Sequence, residues 1–116
     1  MDTELFKGTL SLLILSLLQR KAMYGYEIAA TVHRDTAGAF TFKEGSLYPS
    51  LHKLEADGLI TGKWEEAAAE EGNVGRKRRY YHITSKGRSA LHEKIASWNE
   101  LVSAVGSILE NVHGSA

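Results

Sequence analysis

A helix that runs directly into a strand, with a basic strand returning after it, is the feature that most restricts how this chain can fold. Leu47, Leu51 and Leu54 recur at the spacing of one buried helical face. Ser46 is the expected N-cap of this helix, which places Pro49 in the first turn, where its missing N–H costs no helical hydrogen bond. We therefore expect a short capped helix that continues into a strand.

The segment after this helix predicts a β-hairpin. Ile60 and Trp64 share one face of the first strand, and residues 78–83 alternate between two faces in the second. The connection is longer than most hairpin loops, and Gly72 and Gly75 suggest a mobile tip. A helix followed by a basic hairpin predicts a winged helix-turn-helix. This architecture usually places the helix in the major groove of duplex DNA and the hairpin against neighbouring phosphates.

Two further helices are expected before this unit. Residues 5–19 are apolar nearly all round, as in a helix that packs on several sides, here between its own domain and a partner. Residues 25–35 form a second helix, and Gly25 lies where two backbones are expected to approach closely. The fold class is therefore mainly α with a small β-hairpin, and residues 1–84 form the winged helix-turn-helix domain.

A long helix is predicted over residues 85–113, with a frayed tail at 114–116. It spans more than a small winged-helix body can cover, so we expect it to pair two copies of the chain. The alternative is an ordinary amphipathic helix folded back on its own domain. Its apolar positions follow the 4, 3, 4, 3 spacing of a heptad repeat: Leu91, Ile95, Trp98, Val102, Val105, Leu109 and Val112.

Composition places this chain in a broad class. The 116 residues suffice for one domain with its own core, and the absence of cysteine fits a reducing interior. The apolar stretch over residues 10–18 is too short to span a bilayer, and Asp2 and Glu4 before it do not fit a secretory signal. We expect a soluble cytoplasmic protein.

The charge distribution favours a nucleic-acid partner although the total does not. Fourteen cationic and fourteen acidic side chains cancel, whereas nucleic-acid-binding domains are usually basic. The charges are unevenly distributed, however, because four consecutive cations stand at 76–79 and several acidic side chains precede them. The electrostatic field is therefore strong locally. Such a block is often only solvated surface, but its position beside a helix-turn-helix favours contact with phosphates.

The sequence contains no pattern of an enzyme. The five histidines lack the i, i+4 pairing of a zinc protease, so no metal site is expected. Ser46 follows a glycine, but the second glycine of a nucleophile elbow is absent. Gly62-Lys63 lacks the flanking residues of a phosphate loop. We therefore expect neither an enzyme nor a cofactor.

Three segments together resemble the PadR family of bacterial transcriptional regulators. They are Met23–Ile28, Glu44–Glu55 and Gly75–Gly87, and the match is closest to the short subfamily that ends in one dimerisation helix. The resemblance implies a homodimeric repressor on a palindromic operator, in which Tyr48 lies at the DNA-facing start of the recognition helix and the arginines serve the wing. Lys77 departs from the proline that many members carry, which implies a looser and more basic wing.

The candidate DNA contacts are residues of the recognition helix and of the wing, and the resemblance implies Tyr48 and the arginines among them. An alternative reading of Tyr48 is a partly buried aromatic, and the alternative function is a protein-interaction module on this scaffold without its own operator. The candidates are Tyr48, His52 and Lys53 from the helix, and Arg76, Lys77, Arg78 and Arg79 from the wing.

Trp98 is the candidate effector-binding residue. It is bulky for a two-stranded helix interface, and its symmetry copy would lie near the same axis, so the two rings could line a gap. The alternative is that Trp98 fills the interface or packs on the first helix. The resemblance favours a ligand, since some short PadR-like regulators hold flat hydrophobic compounds between tryptophans of this helix.

Overall fold

The computed structural model describes residues 8–67 and 76–114. The predicted wing tip with Gly72 and Gly75, the first residues of the predicted N-terminal helix and the last two residues of the predicted tail lie outside this part. The elements in chain order are α1 (Leu10–Arg20), β1 (Met23–Tyr24), α2 (Gly25–Asp35), α3 (Glu44–Ala56), β2 (Ile60–Glu66), β3 (Lys77–Ile83) and α4 (Ser85–Gly114).

The mainly α winged-helix fold is confirmed, with a third strand added to the hairpin. The sheet is antiparallel in the order β1-β3-β2, so the two-residue strand β1 pairs with the outer side of the wing. Met23 lies opposite Tyr81, and Ile60 lies opposite Ile83 at the base of the hairpin. The extra strand therefore ties the segment before α2 to the wing.

The start of α3 differs from the prediction. Lys43 has an extended backbone at the N-cap position, and its carbonyl oxygen accepts hydrogen bonds from the amides of Ser46 and Leu47, at 2.9 Å each. The prediction that Ser46 is the N-cap is therefore wrong, because helical bonding begins earlier. Pro49 consequently lies beyond the first turn, where it supplies no N–H to the Gly45 carbonyl.

The core lies where α1, α2 and α3 meet the base of the sheet. Its five most completely buried large side chains come from four elements, so each element contributes to one continuous cluster. The leucine spacing of α3 is confirmed as a buried face, since Leu47, Leu51 and Leu54 all belong to this cluster. The five side chains are Ile14, Leu15, Ile28, Leu51 and Ile60.

The junction between β3 and α4 is fixed by Thr84 and Gly87. The Thr84 hydroxyl accepts a hydrogen bond from the Gly87 amide at 3.0 Å and lies 2.7 Å from the Gly58 carbonyl, to which it donates. Gly87 packs directly on the carbonyl oxygen of Leu59, with no room for a Cβ. The first turns of α4 are thus docked on the domain.

Among the described helices, none has the length and apolarity that a membrane span requires.

We expect Gly87→Ala to lower the free energy of unfolding by about 1–3 kcal/mol, because the new methyl group would push α4 away from Leu59. Urea unfolding measures the change. Gly45→Ala is the matched control, since a Cβ there meets no other group within 4 Å. Equal stability of the Gly87→Ala variant and the wild-type protein would contradict the close packing of α4 on Leu59.

Candidate nucleic-acid interface

An open groove of about 450 Å³ lies between the start of α3, the β1–α2 junction and the wing. It brings together six of the seven residues predicted to contact DNA. Lys53 is the exception, because it lies outside the groove and pairs with Asp57 at 3.4 Å. The groove is lined by Tyr24, Gly25, Tyr26, Tyr48, His52, Trp64, Arg76, Lys77, Arg78, Arg79 and Tyr81.

Tyr48 is partly packed and partly exposed. Its side chain is 42% exposed, yet its ring lies against Gly25, where an added Cβ would stand 2.9 Å from the Tyr48 hydroxyl oxygen. The sequence analysis expected a second backbone to approach closely at Gly25. The close contact is instead made by the side chain of Tyr48. Gly25 allows the ring to pack while its edge remains at the groove surface.

A cluster of aromatic side chains supports the cations of the wing. The Arg78 guanidinium lies 4.3 Å from the centroid of the Tyr24 ring, which is in range of a cation–π interaction. Tyr24 in turn stacks with Tyr26 at 6.4 Å and meets the edge of Tyr80 at 5.5 Å. These contacts hold the charge of Arg78 at the wall of the groove.

Sequence reasoning missed four aromatic residues of this groove: Tyr24, Tyr26, Trp64 and the buried Tyr81. Tyr26 is 73% exposed and Trp64 is 66% exposed, although both are large and mostly apolar. The repeated tyrosines around Gly25 were the available signal for the first two. Exposed aromatic groups beside cations are suited to contacts with sugars and base edges.

Arg79 differs from the other cations of the wing. Its Nη2 atom lies 2.9 Å and 3.2 Å from the two carboxylate oxygens of Glu55 on α3, and the Gly62 amide donates to the same carboxylate at 2.9 Å. The bond from Gly62 lowers the pKa of Glu55, burial opposes this, and Arg79 adds to the lowering. Glu55 in turn raises the pKa of Arg79. Both groups therefore stay charged near neutral pH.

The apolar positions predicted for the dimer interface fall into two groups. Leu91 is buried in the core of its own chain. The others are between 41% and 54% exposed and recur at heptad spacing along the rest of α4: Ile95, Trp98, Val102, Val105 and Leu109.

Trp98 lines a second open groove, of about 490 Å³, between α1 and α4. Leu12 of α1 and Leu101 of α4 supply apolar walls, and Glu93 and Lys94 contribute charged groups.

In the described part of the chain, no group of His, Asp and Glu side chains is arranged to hold a metal ion.

Comparison with known proteins identifies the family. The model of the transcriptional regulator PadR-like family matches residues 14–93, which include α2, α3, the wing and the docked start of α4. The chain belongs to the PadR-like family of transcriptional regulators. PadR-like proteins are DNA-binding regulators and not enzymes, in agreement with the expectation from the sequence.

Solved structures of PadR-like and related regulators share the fold of this chain. A transcriptional regulator from Clostridium thermocellum superposes with a TM-score of 0.81 at 27% identity, over 92% of this chain and 96% of the other. A PadR-like transcriptional regulator from Bacillus cereus gives a TM-score of 0.79 at 31% identity, over 93% and 98%.

Two curated proteins are similar to this chain in sequence. An uncharacterised protein of Lysinibacillus sphaericus is 33% identical over 110 residues, which cover 95% of this chain and 96% of the relative. The transcriptional regulator Rv3488 of Mycobacterium tuberculosis is 44% identical over 61 residues, which cover 53% of this chain and 51% of the relative.

We expect Lys77→Gln in this PadR-like protein to weaken binding to all duplex sequences alike. The slope of log affinity against log salt concentration should become shallower by about 1 for each phosphate that a subunit no longer neutralises. Fluorescence anisotropy with labelled DNA at several salt concentrations measures it. Arg88→Gln, which removes a cation outside the groove, should leave the slope unchanged. An unchanged slope for Lys77→Gln would remove this residue from the DNA interface.

Proposed function

We propose that this PadR-like protein is a homodimeric repressor that binds an inverted-repeat operator and is released by a small flat hydrophobic effector. The observation that carries the proposal is the groove in which the start of α3 and the cations of the wing face the same space. A recognition helix and a phosphate-binding hairpin are the two elements with which winged-helix proteins hold duplex DNA.

The two parts of the groove have different tasks in this proposal. Tyr48 and His52 on α3 enter the major groove and meet base edges, which gives sequence preference. Arg76, Lys77 and Arg78 lie against the phosphates of the neighbouring backbone, which gives affinity that depends on salt. Tyr26 and Trp64 line the same groove and add apolar contacts to sugars or thymine methyl groups.

Dimerisation is supported by the apolar side of α4. The helix has 30 residues, so it is about 45 Å long, and only its first turns are covered by its own domain. A stripe of half-exposed apolar side chains on such a helix is suited to pairing with the same stripe of a second copy. Two recognition helices related by this pairing would meet successive major grooves about 34 Å apart on an inverted repeat.

We expect the double substitution Ile95→Glu, Val102→Glu to yield a monomer, because it places charges without partners in the α4 pairing surface. Sedimentation measures the mass, and a gel shift on the DNA upstream of the protein's own gene measures operator binding, which should disappear together with the dimer. The matched control is Ala96→Glu, Ser103→Glu. It adds the same two charges at the same seven-residue spacing, at exposed positions of α4 outside the apolar stripe.

Three results would contradict parts of the proposal. A well-folded dimer carrying both glutamates would show that the pairing surface lies elsewhere. A wild-type dimer with no salt-dependent binding to duplex DNA would instead support the interaction-module alternative. Higher expression of the downstream gene in the presence of the protein would replace repression with activation.

The effector proposal is supported by the groove beside Trp98. Leu12, Trp98 and Leu101 give it apolar walls suited to a flat aromatic compound, and Glu93 and Lys94 place one charge of each sign beside them. Pairing of two α4 helices would bring a second tryptophan towards the same axis. Binding there lowers operator affinity only insofar as the ligand prefers a dimer geometry that fits DNA badly.

We expect planar aromatic cations to quench tryptophan fluorescence and release operator DNA over the same concentration range. The quenching should disappear in Trp98→Phe and persist in Trp64→Phe, since Trp64 lies in the wing. Quenching that persists in Trp98→Phe but disappears in Trp64→Phe would contradict a pocket at Trp98 and indicate binding in the DNA groove.

A further inference from the structure

One carboxylate binds both strands of the wing to the recognition helix. Glu55, near the end of α3, accepts hydrogen bonds from the Gly62 amide in β2 and from the Arg79 guanidinium in β3. Both strands of the hairpin are thereby bound to one side chain of the helix. Bonds to an ionised carboxylate from a guanidinium are among the stronger hydrogen bonds in proteins and are specific in their geometry.

The absence of a side chain at Gly62 makes this arrangement possible. A Cβ built at Gly62 would lie 2.5 Å from the Arg79 Nε atom and 2.6 Å from its Cζ atom. The guanidinium therefore lies across the backbone of β2 on its path to Glu55. Gly62 has a backbone conformation that other residues adopt, so its importance lies in this contact and not in strain.

We propose that Glu55, Gly62 and Arg79 form a clamp that fixes the angle between the recognition helix and the wing. In this proposal Arg79 is a positioning residue, whereas Arg76, Lys77 and Arg78 provide the phosphate contacts. The inference rests on the proposed DNA-binding function and assigns a different role to one cation of the same basic run.

The charges explain why the clamp and the phosphate contacts should behave differently. The Glu55–Arg79 pair is neutral as a unit, so its presence at the interface releases no counterions from DNA. Its benefit is that the wing is already oriented before binding, so less ordering accompanies DNA contact. Breaking it should lower affinity while leaving the number of neutralised phosphates unchanged.

Three variants separate this role from direct contact, because each changes the charge differently. Arg79→Gln removes a cation, Glu55→Gln removes an anion, and Gly62→Ala changes no charge but displaces the guanidinium. Glu55→Gln also disrupts the clamp, because it removes the negative charge that attracts Arg79 and leaves one oxygen, at the Oε2 position, to accept from both Gly62 and Arg79, while the amide NH₂ faces the Arg79 donor at the Oε1 position. If Arg79 only attracted phosphate, the first two variants would change affinity in opposite directions.

We expect all three variants to bind the operator roughly three- to tenfold more weakly than the wild-type protein, with an unchanged salt slope. The double variant Glu55→Gln, Arg79→Gln should lose no more affinity than the weaker-binding single variant, because both break the same clamp. Lys77→Gln is the matched control for charge, and it should make the slope shallower. Circular dichroism confirms that each variant is folded.

The clamp is refuted if Arg79→Gln makes the slope shallower while Glu55→Gln raises affinity. Hydrogen exchange of the free protein gives a second test that requires no DNA. Residues 60–66 and 77–83 should exchange faster in all three variants, while α1 exchanges as in the wild-type protein. Wild-type exchange in the hairpin would refute the clamp, and failure of the wild-type protein to bind duplex DNA would refute the proposed function alone.

Discussion

Burial of one apolar cluster is the interaction on which the rest of this structure depends. Ile14 and Leu15 of α1, Ile28 of α2, Leu51 of α3 and Ile60 of β2 are almost completely removed from solvent. Each such side chain contributes about 1.5–3 kcal/mol on burial. Because the cluster takes the inner face of α3, the opposite face of that helix is left at the surface beside the wing. The groove between α3 and the wing is thus a consequence of how the core is filled.

The groove also shows why total charge is a poor guide to this protein. The chain is neutral overall, yet the cations of the wing are gathered at one wall of the groove, where aromatic rings support Arg78. Within the same basic run, Arg79 is paired with Glu55 and contributes little net charge. Four consecutive cations in the sequence therefore have different surroundings in the fold: Arg78 packs on an aromatic ring at the groove wall, whereas Arg79 connects the wing to α3.

Helix α4 belongs to two different environments. Its first turns are docked on the domain through Gly87 and Leu91, which have little exposed surface. Beyond Ile95 the apolar side chains of the helix are about half exposed or more, because the domain ends before the helix does. One continuous helix thus joins the winged-helix domain, on which its first turns pack, to the exposed apolar side chains of its second half. In the proposed dimer, a ligand beside Trp98 would act through this helix on the angle between the two winged-helix domains.

Patterns that are local in sequence determined the elements of this fold. The leucines of α3, the alternation in the wing and the long repeat of α4 each depend on neighbours within two turns or one strand, so their spacing alone predicts them. The start of α3, the strand β1, the packing of Tyr48 on Gly25 and the pairing of Arg79 with Glu55 were decided only by the tertiary structure. Each of these joins distant segments, or, for the helix start, depends on the backbone of the preceding loop. No periodicity encodes such a contact, because it exists only after the core has brought the elements together.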